Sequence, residues 1–574
     1  MKSTINLFIQ SNKRIILTAF VLFFANLLFA QNGYYRYWVE LKDKDSTFSI
    51  SKPLDFLSQK AIDRRLKYTI PISITDFPVN TKYVKAIKNK GFRIIHTSRW
   101  LNAVTIQTTK KNLIDSLTQF DFISKIKYLG FLKFDDAENK PEETVDINEA
   151  LSLLESKFEN LKNKKIDTNF YGKSTPQITM LNLAKLHQMG FMGEGVTIAV
   201  LDAGFKNANK ISVFNYAFDS GHVVGTKDFI DRVNNVFNDD DHGVGVWSCM
   251  AAFKPHQLVG TSPKANYWLL RSEYAQTESP IEETHWLAAA EFADSVGADV
   301  INSSLGYSVF DDKTLSHQYK DLDGKTTIIS QAASMASKKG ILVINSAGNE
   351  GDNEWKYISA PGDALNILTV GGVDENKTRS SFSSIGPTAD KRVKPDVVTL
   401  GENVYVPSSG NTVYQSNGTS YSSPILAGVS ACLLQANPNK KNTEIIDAIK
   451  LSSSQYYAPD KLLGNGIPDA VLANKILGGD DEFPHKKDIL MDAKFLNDLN
   501  LHLTYYTRTS QKITIVIEDI KKMNQKPVYT NSIRSKNMTV NRIKLTNLTH
   551  LPKGIYAVYF HSKDGVSSLL INNN

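Results

Sequence analysis

An apolar run of four or five residues ending in an acid, within VTIAVLDAGF, sets the pattern for the middle of this chain. A run that short and that continuous is what a strand buried on both faces of a parallel sheet requires. Similar runs recur in KANYWLLRS, GADVINSSLGY, GILVINSAGNEG, NILTVGGV and KPDVVTL, with the helical stretches THWLAAAEFADSVG and ISQAASMASKKG between them. Strands alternating with helices predict an α/β domain, a mostly parallel sheet with helices on both faces. Its expected limits are residues 168–480. ITMLNLAKLHQMG enters as a helix ending at Gly190, and TEIIDAIKLSSS closes the domain as another.

The flanks have other textures. Residues 31–135 are a basic α+β segment: RYWVEL, RIIHT, NAVTIQTT and FISKIKYLGFLKF read as strands, and LDFLSQKAIDRRLK, NTKYVKAIKNKG and KKNLIDSLTQF as helices. A binding module, an oligomerisation unit and a propeptide all fit it. Residues 136–167 read as a charged linker followed by a solvated surface helix, INEALSLLESKFENLKNKK. GDDEFPHKK, near 479–487, reads as a second linker. Residues 488–574 lose helical periodicity, and LNLHLTYYT, KITIVIEDI, VNRIKLTNL, GIYAVYFHS and SSLLIN predict a small antiparallel, sandwich-like β domain.

Charge and composition narrow the class. Residues 1–30 carry scattered positive charge and then IILTAFVLFFANLLFA, a secretory signal peptide with cleavage expected after Ala30. No later stretch is long and apolar enough to cross a bilayer, so no retained transmembrane segment is expected. A hydrophobic content of 41% with 22% charged residues describes a globular chain, and a net charge of +7 over 574 residues does not argue for nucleic acid. Cys249 and Cys432 are the only cysteines. Both are expected as buried free thiols, with a bridge between them left open.

Chemistry concentrates at element ends. Asp202 ends an apolar strand, where open α/β sheets carry their functional groups. His242 lies in DDDHGVGVWSCMAAF, where two glycines open a helix. Ser420 lies in SNGTSYSSPILAG, a tight turn that presents a hydroxyl and a free N–H at a positive helix end. Alone, the turn reads equally as a helix cap, and the histidine as a surface residue beside Asp239, Asp240 and Asp241. Together they form an acid, a base and a nucleophile: the carboxylate orients the imidazole, which takes and returns the serine proton. Asn349, ending ILVINSAGNEG, can aim its amide at developing negative charge, with the Ser420 N–H as second donor. Asp239–Asp241 also suggest a calcium loop, but the sequence does not show the converging oxygens such a site needs. No metal is assigned and no cofactor is required. Gly190, Gly193 and Gly195 precede their strand, which excludes a dinucleotide fingerprint.

Three motifs in the order aspartate, histidine, serine carry a resemblance: VTIAVLDAGF, DDDHGVGV and SNGTSYSSPILAG resemble those of the subtilisin-like serine proteases. The resemblance covers roughly residues 180–475. It implies a secreted endopeptidase with Asp202, His242 and Ser420 as triad and Asn349 in the oxyanion hole. It implies that Ser304, Leu305 and Gly306 (in SSLG) form an edge strand that pairs with substrate. Ala347 and Gly348 (in AGNEG) would wall the specificity pocket, and Ser359 (in ISAPG) would lie near its floor. Two positions depart from the family: Val244 stands where a threonine is usual, and Tyr421-Ser422 where methionine-alanine is common. By the same resemblance, residues 31–135 are similar to the propeptide of secreted bacterial subtilases, an intramolecular inhibitor and chaperone. SRWLNAV (98–104) resembles the propeptides of Bacteroidetes-type bacteria. IKLTNLTHLPKGIYAVYF resembles the sorting domains of type IX secretion in the same bacteria, without their usual basic end. The expected partners are peptide or protein substrates, the chain's own propeptide and the secretion machinery. The expected location is extracellular or on the outer-membrane surface.

Overall fold

The computed structural model describes residues 33–45, 47–133, 168–231, 235–456, 458–478 and, with short gaps, 489–573. The signal peptide, the 136–167 segment and the 479–487 linker expected from sequence lie outside the described residues. The chain divides into two compact units, one of residues 1–47, 77–147 and 279–281, the other of residues 48–76, 148–278 and 282–574.

In the first unit, β1 (Gly33–Leu41), β2 (Arg93–Ser98), β3 (Ala103–Thr108) and β4 (Ile123–Lys133) form an antiparallel sheet in the order β2-β3-β1-β4. A helix, Thr81–Asn89, starts at Asn80, whose side chain accepts from Lys82 N. Tyr37, Val39, Leu41, Ile87, Val104, Ile106 and Leu117 make its core. KKNLIDSLTQF, expected as an α-helix, forms only 3₁₀ turns over Lys111–Leu117.

The second unit is built on seven strands: β5 (Thr197–Asp202), β6 (Val223–Asp228), β7 (Asn266–Arg271), β8 (Val300–Ser303), β9 (Leu342–Ser346), β10 (Leu368–Val373) and β11 (Val397–Leu400). Their order is β11-β10-β9-β8-β5-β7-β6, and every pairing is parallel. The mostly parallel sheet expected from the apolar runs is therefore present. β5 is central. The chain leaves it on one side toward β7 and later returns on the other as β8, so the carboxyl end of β5 lies at a topological switch point.

Among the helices, α1 (Gln59–Lys67), α2 (His242–Ala251), α3 (Ile281–Val296), α4 (Ile328–Lys338), α5 (Thr419–Ala436), α6 (Asn442–Ser452) and α7 (Ala470–Leu477) concern the site or its support. α5 runs against β8, β9, β10 and β11 and also touches α2. α7 follows TEIIDAIKLSSS, the helix expected to close the domain, and lies within the limit of residue 480 expected for it. Its signals are local: the Asp469 side chain caps Leu472 N, and Gly478 closes the helix at φ 98°. ITMLNLAKLHQMG is likewise two short helices, Thr175–Met180 and Ala184–Gln188, with Asn182 at φ 55° between them.

Residues 48–76 join this unit through buried charge. Arg64 and Arg65 on α1 both donate to the Asp294 carboxylate. Arg64 also donates to the carbonyls of Asp294, Ala298 and Lys339, the orphan acceptors at the carboxyl ends of α3 and α4. Asp76 accepts from Arg65 at 2.7 Å and pairs with Lys339 at 2.9 Å. Gly297 and Gly340, at φ +79° and +90°, leave room for this approach: a Cβ on Gly297 would meet Lys60 at 2.6 Å, and one on Gly340 would meet Ile70 at 2.8 Å.

Beyond residue 488, two antiparallel sheets form. β12 (Ile489–Phe495), β13 (Leu501–Thr507) and β16 (Thr539–Leu545) make one, in the order β12-β13-β16. β14 (Lys512–Asp519), β15 (Tyr529–Arg534), β17 (Gly554–Ser562) and β18 (Gly565–Asn573) make the other, in the order β15-β14-β17-β18. Leu501, Leu503, Ile513, Ile515, Val558 and Phe560 share one core.

Candidate active site

Asp202 is the last residue of β5 and is fully buried. Its Oδ1 accepts from Ala203 N at 2.9 Å and pairs with His242 Nδ1 at 2.8 Å. Its Oδ2 has no hydrogen-bond partner among the described residues. His242 opens α2, where Asp240 Oδ1 accepts its backbone N–H at 2.8 Å. The residue after it has no room for a side chain: a Cβ on Gly243 would meet the Gly204 carbonyl oxygen at 2.3 Å. This glycine lets the start of α2 sit directly on the loop after β5, which brings ring and carboxylate together.

Ser420 is the second residue of α5 and is buried. Pro424 inside that helix has no N–H to give the carbonyl four residues earlier, which is that of Ser420. The freed carbonyl accepts instead from Ser304 Oγ at 2.8 Å, and Ser420 Oγ donates to the Ser304 carbonyl at 3.4 Å. A proline in the sequence thus ties Ser420 to the end of β8. Tyr421, one of the two departures, packs its ring 3.0 Å from where a Cβ of Gly245 would be, and Ser416 Oγ donates to its Oη. Ser422 donates back to the Leu400 carbonyl. Both side chains serve packing between α2, α5 and the sheet. Val244, the other departure, is fully buried.

Asn349 is oriented by Thr419. Its Oδ1 accepts from both the N–H and the hydroxyl of Thr419, each at 2.9 Å, which turns its Nδ2 away from them. Gly418 marks where it turns. A Cβ there would lie 3.6 Å from Asn349 Nδ2 and 3.7 Å from Ser420 N. Two N–H donors therefore flank the space that Gly418 leaves open, the arrangement an oxyanion needs.

The other expected site residues also gather. Ser303 ends β8 inside the sheet, paired with Leu201 and Asn345, and Ser304, Leu305 and Gly306 continue beyond it. Ser303 is thus central; the part available to pair with an extended chain begins after it. Ser359 is buried between two glycines: a Cβ on Gly306 would come within 2.8 Å of Ser359 Cβ, and one on Gly348 within 2.7 Å of its Oγ. Ala347, just past β9, donates its N–H to the Val370 carbonyl at 2.9 Å.

Partial burial disfavours a charged His242, whose side chain is 33% exposed, but the Asp202 carboxylate overrides it by charge and hydrogen bond. Glu273 and Asp240 add to the negative field, and the imidazole is pushed up to about 9.

Asp239–Asp241, weighed as a calcium loop but assigned no metal, face different partners. Asp240 caps α2, Asp241 accepts from Ser409 Oγ, and Asp239 lies 3.6 Å from Arg271. Asp239 does converge with Asp228 and Asp231, but Arg271 fills that cluster, bonding Asp228 at 2.8 Å and Asp231 at 2.7 Å. Glu273, Glu278 and Glu282 form a second group that sequence reasoning missed. The rule that singled out Asp202, an acid just past a buried strand, would have found Glu273 two residues beyond β7. Cys249 and Cys432 are both free and buried.

Residues 193–466 match the subtilase family, and residues 36–144 match the peptidase S8 propeptide domain of Bacteroidota. The chain carries a subtilase domain. It is that of a subtilisin-like serine protease, preceded by a peptidase S8 propeptide domain. The chain is 28% identical over 308 residues to serine protease AprX of Bacillus subtilis (strain 168), a match spanning 48% of this chain and 66% of that one. It is 26% identical over 299 residues to Subtilisin BL of Lederbergia lenta, spanning 52% and 97%. The crystal structure of MycP1 with its N-terminal propeptide removed covers 54% of this chain and 99% of its own, at a TM-score of 0.42 and 21% identity. No helix among the described residues is long and apolar enough to cross a membrane.

Proposed function

We propose that this subtilase is an extracellular serine endopeptidase acting through an acyl-enzyme on Ser420. The observation that carries this reading is the convergence at the mouth of α5. The Ser420 hydroxyl lies beside two N–H donors that face one space, in a domain where an imidazole is held at 2.8 Å by a buried carboxylate. In the reaction the Ser420 hydroxyl would leave its long 3.4 Å bond to the Ser304 carbonyl for one to the imidazole, as catalytic contacts that tighten on substrate do. His242 then takes the hydroxyl proton as the oxygen attacks the peptide carbonyl. Asp202 stabilises the imidazolium, and Asn349 Nδ2 and Ser420 N bind the oxyanion. The imidazolium passes its proton to the leaving amine, and water repeats the sequence to free the acyl group. Residues 304–306 would align the peptide, and the space around Ser359 would take the side chain before the scissile bond.

The 31–135 segment is read as the inhibitor removed on activation, and residues 488–574 as a module for sorting to the cell surface or exterior. Ser420→Ala should abolish hydrolysis and leave the 31–135 segment attached in the precursor. A fluorophosphonate should label Ser420 in the wild-type protein. Hydrolysis unchanged in purified Ser420→Ala protein would end the proposal; a wild-type protein that neither labels nor cleaves would favour a scaffold that retains the fold without turnover.

A further inference from the structure

Residues 48–76 dock on the edge of the parallel sheet opposite the one that carries the site. The site's groups stand at carboxyl ends: Asp202 ends β5, Ser304 follows β8 and Asn349 lies just past β9. α3 and α4 run the other way. Each passes through a glycine turn into the amino end of the next strand, β8 after Gly297 and β9 after Gly340. The carbonyls that Arg64 takes, those of Asp294, Ala298 and Lys339, lie in the last turn of these helices or just past it. The four residues of β8, about 13 Å, separate that edge from the cleft. The docking of this segment therefore does not run through the catalytic groups.

Surface and occupant are matched by charge. The catalytic domain offers one carboxylate, Asp294, one ammonium, Lys339, and the carbonyls at the two helix ends. The segment returns two guanidiniums and one carboxylate: Arg64 and Arg65 share Asp294, and Asp76 takes Lys339 at 2.9 Å. All five of these side chains are buried. Thr75 Oγ1 also accepts from Lys339 Nζ at 2.7 Å, and Thr69 Oγ1 from Lys441 Nζ at 3.0 Å, which reaches the start of α6. Apolar cover is small by comparison, coming from Leu57, Ala61, Ile62 and Tyr68. Geometry and charge, more than apolar area, specify what fits here, because parallel helix ends present fixed acceptors that a forked guanidinium can bridge.

Each of these bonds is made by residues 64–76, so a cut between residue 133 and the catalytic domain breaks none of them. Withdrawing the segment takes both cations from a buried carboxylate, which is a costly step. A propeptide tethered at this point stays near its own enzyme at an effective concentration of about 1 mM. We propose that the carboxyl ends of α3 and α4, with Asp294 and Lys339, are a binding surface for the propeptide outside the catalytic cleft, and that residues 48–76 stay docked on it after the chain is cut. This rests on the reading of residues 31–135 as a propeptide and divides its removal into two steps. Hydrolysis of one peptide bond severs it. Further hydrolysis, within the anchor itself, frees the enzyme of it.

The test uses the full-length Ser420→Ala precursor, which should not digest its own propeptide, with a recognition sequence for a site-specific protease inserted within residues 136–146. After that cut, the fragment carrying residues 31–135 should co-elute with the catalytic domain on dilution to nanomolar concentration. Hydrogen exchange of the α1 amides should stay as slow as before the cut. Arg65→Met and, independently, Asp294→Asn should each speed release of the fragment by at least about 100-fold. Prompt dissociation of the otherwise unsubstituted cut protein, or α1 amides that lose protection on cutting, overturns the proposal. So does release unmoved in both variants, since the cleft alone is then holding the fragment. Where a variant does not fold, exchange in the cut protein without it decides the matter. Failure of the propeptide reading looks different: active wild-type protein whose intact mass still includes residues 31–135 in one chain with Ser420 shows that no cut occurs, which removes the anchor's role along with it.

Discussion

Two histidines of one domain have opposite fates. His187, in the short helix Ala184–Gln188, is buried with Tyr171 Oη against Nδ1 at 3.1 Å and the Thr261 carbonyl against Nε2 at 3.0 Å. Neither neighbour carries charge, so desolvation decides, and the ring is pushed down to about 4. His242 meets a desolvation cost of the same sign but faces the Asp202 carboxylate at 2.8 Å, and it is pushed up to about 9. Burial makes a histidine a neutral packing element; a buried carboxylate alongside makes it a base that can hold a proton through a reaction cycle. Among the described residues the buried Arg64, Arg65 and Arg271 follow the same rule, each paired with acids.

Removing the carboxylate should break the contrast most sharply. Asp202→Asn should lower kcat by about 10⁴-fold, the loss seen when a triad acid becomes an amide, and should bring the His242 titration down. Because the base must be neutral, wild-type activity should rise through the alkaline range toward pH 9. A pH–rate profile whose limb stays where it was in Asp202→Asn would refute the role given to the acid.

Next in size is the charge network of residues 58–76, where burial is offset by pairing on both sides. Arg65→Met leaves Asp76 and Asp294 each one cation short and should cost about 3–5 kcal/mol. Chemical denaturation of the Ser420→Ala precursor measures it. A loss below 1 kcal/mol would mean that Arg64 and Lys339 suffice.

The smallest effect belongs to His187. Unfolding restores its ordinary affinity for protons, so between pH 6.5 and 4 the unfolded chain binds more protons than the folded one. Stability is therefore lost as pH falls through that window. This group alone should account for about 2 kcal/mol between pH 7.5 and pH 5. His187→Gln should flatten that part of the stability curve in urea titrations; an unchanged slope would show that the ring is not held neutral.

Much of the fold could be read from local pattern. The run ending at Asp202 and its counterparts were legible because a central parallel strand is apolar on both faces. Strand β6, VVGTKD, was missed for the complementary reason: it lies at the sheet edge, is mostly half-exposed, and packs Gly225 against the Trp268 ring. Helix α7 was overlooked although Asp469 and Gly478 marked both ends. The glutamate cluster was hidden because its members are scattered over ten residues of a loop and helix start, with no periodicity to join them.

By itself, the sequence determined the residue types and their order: acid, histidine, asparagine, serine, each at the end of an apolar element, with a proline four residues after the serine. These are properties of neighbours along the chain, where periodicity and the covalent limits of proline and glycine act. Only the tertiary structure decided which atoms meet: which Asp202 oxygen holds the imidazole, and that Thr419 turns the Asn349 amide toward the space beside Gly418. It also decided that Asp228, Asp231 and Asp239 gather around one arginine. Coulomb interactions and hydrogen bonds depend on distance in space, and here that distance is set by strand order and by how closely glycines let the elements approach.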